Sequence, residues 1–117
     1  MELSKDLLSL LLPELLVNHF EITDYRIESK DIHINFVENK ITPKEEVNRN
    51  LVGKGFHEEL TIQDFPLRGK SVFLHIKRRR WRDKQTGEAV HRNWNLVAQG
   101  SRMTIDFAVF LKAISSY

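Results

Sequence analysis

Hydrophobic and polar positions change period four times along this chain. Residues 3–12 are rich in Leu at helical spacing, and Ser4 before Lys-Asp-Leu is a candidate helix start. Pro13 fits badly inside a helix and well at the first turn of a new one, so the pattern predicts a helix, a break near Leu12 and a short second helix to about Val17. Residues 20–28 and 32–37 then turn to strand period. Ile32, Ile34 and Phe36 alternate with His33, Asn35 and Val37, and Ser29–Asp31 supplies the turn of a hairpin. On this alternation His33 is a solvated side chain. Residues 38–54 mix charges with Pro43 and Gly53 and read as an irregular connection.

Strand period returns at 57–65, with Leu60 and Ile62 on one face. Pro66 and Gly69 mark a turn, and 71–82 reads as one long strand. Residues 83–87 are the next turn, and 88–97, EAVHRNWNLV, the return strand, which brings Trp81 and Trp94 within reach of each other. The segment 101–115 reads as a helix capped by Thr104, with Asp106 in its first turn. Its Ile105, Phe107, Ala108, Val109, Phe110, Leu111, Ala113 and Ile114 cover most of the circumference, so it wants partners on more than one side, a second subunit among them. The expected architecture is α+β: an N-terminal helix, antiparallel β-hairpins forming a small sheet with a basic β-ribbon, and a C-terminal helix. A chain of 117 residues suits a single domain over 1–117, in which 101–117 starts a helical segment.

Composition sharpens this picture in two ways. Cysteine is absent, which removes disulfides and thiolate zinc sites. The five histidines show no close ligand spacing, so neither metal nor cofactor is expected. The apolar start is interrupted by Ser9, Pro13 and Glu14 and falls short of the roughly 20 apolar residues of a membrane span, so the expectation is a cytoplasmic protein without a signal peptide.

The charge is more informative. A net +2 conceals a sign split: residues 1–67 carry 7 Lys/Arg against 13 Asp/Glu, whereas residues 68–102 carry 10 against 2. Five of the cations occupy six positions around one tryptophan, in Lys77, Arg78, Arg79, Arg80, Trp81 and Arg82. On one continuous strand Arg78, Arg80 and Arg82 share a face, and Lys77, Arg79 and Trp81 the other. Arg68 and Lys70 stand at the preceding turn, Lys84 at the next, Arg92 on the return strand and Arg102 before the last helix. A cationic two-stranded ribbon has the dimensions to enter a DNA groove, and guanidinium forks suit phosphate oxygens. Trp81 and Trp94 are candidate stacking platforms for unpaired bases, against the alternative that they fill the core. No Gly-rich phosphate loop, nucleophile elbow or paired-carboxylate motif is present, which argues against an enzyme.

The segment 61–112 resembles the N-terminal region of bacterial insertion-sequence transposases of the DDE class. The resemblance rests on the turn Asp64, Phe65, Pro66 and Gly69, the basic segment Arg79, Arg80 and Trp81, and the helix opening Arg102, Thr104 and Phe107. One subfamily keeps this region as a short separate reading frame, and the whole chain, including LLPELL at 11–16, looks like that product. The family's two cysteine pairs would fall near Thr42–Glu45 and Asp83–Gly87, where no cysteine stands. The resemblance therefore implies a zinc-ribbon-like scaffold without its metal. It also implies binding of transposon-end double-stranded DNA, a separately encoded catalytic transposase subunit as partner, and no strand cleavage by this chain. Two other readings remain beside it: an assembly module that docks the catalytic protein or a second copy through the last helix, and a single-strand binder.

Overall fold

The computed structural model describes residues 5–44 and 49–117. The candidate helix start at Ser4, and Glu45 at the edge of the first implied cysteine pair, lie outside them. Helices and β-sheets are both present, so the fold is α+β. Where chain length suggests one domain, the described residues divide into two compact units, 5–39 with 59–77, and 40–44 and 49–58 with 78–117.

The first unit opens with α1 (Lys5–Leu11) and α2 (Glu14–His19). Pro13 makes the expected break. Its carbonyl accepts from the Leu16 and Val17 amides, and it stands at the N-cap of α2. Leu12, Leu15, Leu16 and Val17 are buried. The four-stranded sheet has the order β1 (Phe20–Ile27), β2 (Asp31–Glu38), β5 (Lys70–Lys77), β4 (Leu60–Leu67). The hairpin expected over 20–37 forms, and β4 and β5 form another across the turn expected at 66–70, but the sheet is mixed and not purely antiparallel. The second strands of the two hairpins lie side by side, so β2 and β5 run parallel, with Ile32 opposite Val72, Ile34 opposite Leu74 and Phe36 opposite Ile76. Those β5 residues and Phe36 are fully buried, the interior face of the sheet.

On the opposite face His33 departs from its expected solvated state. It is half-buried, its Nδ1 lies 2.9 Å from His75 Nε2, and its ring stacks on Phe73 and His75. Thr61 Oγ1 completes the chain at 3.0 Å from His75 Nδ1.

The turn between β4 and β5 is a two-residue loop in which Arg68 and Gly69 both have positive φ, 54° and 77°, with Leu67 paired to Lys70. This is the backbone of a type I′ hairpin, whose twist matches that of the flanking strands.

The second unit holds a three-stranded antiparallel sheet in the order β3 (Leu51–Phe56), β6 (Arg79–Asp83), β7 (Ala89–Val90), followed by α3 (Trp94–Val97) and α4 (Ile105–Ile114). Three expectations change here. Residues 51–56 form a strand that begins within the segment 38–54, which reads as an irregular connection. The candidate strand 71–82 is two strands in two different sheets, interrupted at Arg78. The return strand 88–97 shrinks to Ala89–Val90, because Asn93 accepts the Leu96 amide 3.1 Å away and starts a helical turn in its place.

The C-terminal helix agrees with its sequence reading. Thr104 Oγ1 accepts from the Phe107 amide, Asp106 occupies the first turn, and Lys112 the last. Phe110, Leu111 and Ile114 are buried, whereas Ile105 and Val109 are exposed.

Candidate nucleic-acid interface

The strand β6 sorts its side chains by alternation. Trp81 and Asp83 are buried and Arg79 half-buried on one face, while Arg80 and Arg82 are exposed on the other. Neighbouring strands contribute small or cationic groups to the outer face. Arg82 lies opposite Val52 on β3 and Ala89 on β7, Lys54 stands exposed two residues along from Val52, and Lys84 is exposed at the head of the next turn.

The hairpin's carboxylates are held elsewhere. Asp83 Oδ1 accepts the Gln85 amide, and Arg49 Nη1 lies 3.3 Å from Glu88 Oε2 and 3.7 Å from Asp83 Oδ2. Among the described residues no acidic side chain pairs with Arg80 or Arg82.

Arg78 and Arg79 of the run, and Arg92 beyond it, are engaged within the fold. Arg78 is buried, and its Nη1 donates to the carbonyl oxygens of Ile114, at 2.8 Å, and Ser116, closing the C-terminal end of α4. A cation there also complements the negative end of the helix dipole. The guanidinium of Arg79 lies 4.9 Å over the Phe56 ring. Arg92 is buried, with its guanidinium 4.9 Å over Trp94. Trp94 is itself fully buried, with Nε1 donating to Tyr117 Oη at 2.7 Å. Trp81 and Trp94 are thus core residues and unavailable as stacking platforms. Arg78 and Arg92 cannot meet a phosphate without leaving their sites.

Arg68, Lys70 and Lys77 belong to the first unit. Lys70 is pinned, its Nζ donating to the Glu28 and Ser29 carbonyls at 2.6 and 3.2 Å. Arg102 is exposed in the second unit, ahead of α4. Of eleven candidate residues, Arg80, Arg82, Lys84 and Arg102 are therefore exposed cations of the unit that carries the ribbon. Lys54 is the member sequence reasoning missed. Sequence offered little signal for it, because Gly53 and Gly55 flank it and hide the strand.

Behind the ribbon lies a cluster of rings. His57 stacks on His91 at 5.1 Å, both pack against Tyr117, and Arg78 sits 4.4 Å over the Tyr117 ring. His57 Nε2 is buried without a hydrogen-bond partner among the described residues. Burial, then the charges of His91, Arg78 and Arg80, lower its pKa to about 4, so this imidazole is neutral at ordinary pH.

No protein-family model, curated protein or solved structure matches this chain.

Proposed function

We propose that the outer face of the β3–β6–β7 sheet binds the phosphate backbone of double-stranded DNA and that the chain is a non-catalytic module. One observation carries this reading: Arg80 and Arg82 project side by side from one strand, with Lys54 and Lys84 nearby, while the hairpin's own carboxylates are occupied by Arg49 or by backbone amides. Cations with no acidic partner among the described residues, on a sheet whose neighbouring side chains are small, leave room for a broad polyanion. The resemblance of residues 61–112 to transposase N-terminal regions makes transposon-end DNA the duplex of choice and a catalytic transposase subunit the natural partner.

Neutralising about four phosphates gives a slope of log affinity on log salt of about −3 to −4. The double variant Arg80→Ala/Arg82→Ala should reduce that slope by about two and leave the melting temperature nearly unchanged. Fluorescence anisotropy with labelled duplex, across a salt series, reads both. Absence of binding at low salt, or a salt-independent affinity, defeats the proposal.

A second reading has its own observation. Ile105 and Val109, one turn apart, are exposed on α4, with exposed Met103 just ahead of its cap, which suits assembly with another protein. Under that reading the double arginine variant keeps its partner and Val109→Asp loses it.

A further inference from the structure

The outer strand β1 carries a pattern that fits a second copy of itself. It lies at one edge of the four-stranded sheet, and residues 21–27 are exposed along its whole length. The hydrogen-bond phase of β1 against β2 fixes which main-chain groups face outward. At one end the Glu28 amide donates to the Asp31 carbonyl, so Arg26 and Asp24 also point their amides inward, and Tyr25 and Ile27 point theirs outward. At the other end the Asn39 amide donates to the His19 carbonyl, so Glu21 points inward and Ile22 outward. A bulge between Ile22 and Asp24 brings the two phases together. The open edge therefore presents the main chain of Ile22, Tyr25 and Ile27. Their side chains share the face of Phe36, Ile34 and Ile32, and each is substantially exposed. Glu21, Asp24 and Arg26 occupy the other face, opposite Val37, Asn35 and His33.

We propose that β1 pairs antiparallel with β1 of a second copy, with Ile22 opposite Tyr25 about a two-fold axis. In this register the outward-facing main chains of Ile22 and Tyr25 meet as hydrogen-bonded pairs. Phe20 falls opposite Ile27 on the apolar face. On the other face Glu21 falls opposite Arg26, and the symmetry repeats this opposite-charge pair. The two bulges oppose each other, so neither strand is out of step. The register centred on Arg26 sets Tyr25 against Ile27 but brings two guanidiniums together, and a one-residue slip mixes apolar with charged positions.

In the free chain the edge is blunted by two local contacts. Asp24 Oδ1 accepts the Tyr25 amide at 2.8 Å, and Arg26 Nε reaches Glu28 Oε1 at 2.6 Å. Both are exposed, and exposed pairs contribute little, so exchanging them for contacts across the two-fold costs little. The dimer joins two four-stranded sheets into one of eight strands, and this rests on none of the cationic residues of the second unit.

Sedimentation velocity of the full chain over a wide concentration range tests the register through its charges. The wild-type chain should dimerise. Glu21→Arg places Arg against Arg, and Arg26→Glu places Glu against Glu, at two symmetric positions each, so either single variant should dimerise about tenfold more weakly. Mixing the two variants restores opposite charges at every position and should return a heterodimer of wild-type affinity. Circular dichroism confirms that the exposed substitutions keep the fold. A wild-type chain that stays monomeric, a dimer indifferent to both substitutions, or a mixture that fails to recover would each overturn the proposal.

Discussion

Arg78 and Arg80 are two positions apart and chemically identical, yet one is buried and the other exposed. What separates them is a partner 36 residues further on: the carbonyl end of α4 takes up Arg78. Arg78→Ala should therefore destabilise by about 2–4 kcal/mol, since it strands buried carbonyls that the charged donor satisfied. Arg80→Ala should lie within about 0.5 kcal/mol of the parent. Chemical denaturation of the two variants makes the comparison. At the turn after β4, Arg68 holds a left-handed backbone that side chains with a Cβ adopt at a cost. Asn tolerates that conformation and leads type I′ turns, so Arg68→Asn should raise stability by about 0.5–1 kcal/mol, a few degrees in the thermal melt. His57 gives a pH dependence. The unfolded chain protonates this imidazole near the ordinary 6.5, whereas the fold resists until about 4. Stability from keeping it neutral is whole above about 6.5 and is lost as pH falls toward 4. His57→Gln should accordingly lose less melting temperature than the parent between about pH 7 and 5, a window above the range where most carboxylates titrate.

At the scale of elements, the chain is legible where apolar period and local punctuation agree. Pro13 divides α1 from α2, Ile32, Ile34 and Phe36 announce β2, and Thr104 with Asp106 opens α4. Three features escape for physical reasons. In β3, Gly53 and Gly55 erase the alternation, and Gly55 at φ 78° serves an irregular step against β6. In EAVHRNWNLV the alternation of Val90, Arg92 and Trp94 mimics a strand, and the local competition is won by the Asn93 cap. Around Arg78 the apolar alternation stops at Ile76 and Trp81 falls out of its phase, but within a run of cations this one change of phase does not announce the step from one sheet to the other. The candidate site is half legible for the same reason. The density of positive charge is visible in the sequence, but exposure is not, since it depends on Phe56, Trp94 and the end of α4.

For the whole molecule, the sign split separates local from global effects on DNA binding. Arg68 and Lys77 are exposed cations of the first unit. Replacing both with Ala lowers the net charge by as much as replacing Arg80 and Arg82. If a localised face makes the phosphate contacts, the first double variant should keep most of the salt slope and the second should not. The same anisotropy series decides the point.

The division of the chain also bears on its biosynthesis. The path passes from one unit to the other after residues 39, 58 and 77. As the polypeptide leaves the ribosome, β3 emerges long before β6, the strand it pairs with, and β4 and β5 come out in between. A strand left waiting beside growing hairpins invites premature pairing. Gly53 and Gly55 weaken β3 as an independent strand, which makes it a poor template until Arg79–Asp83 has been translated.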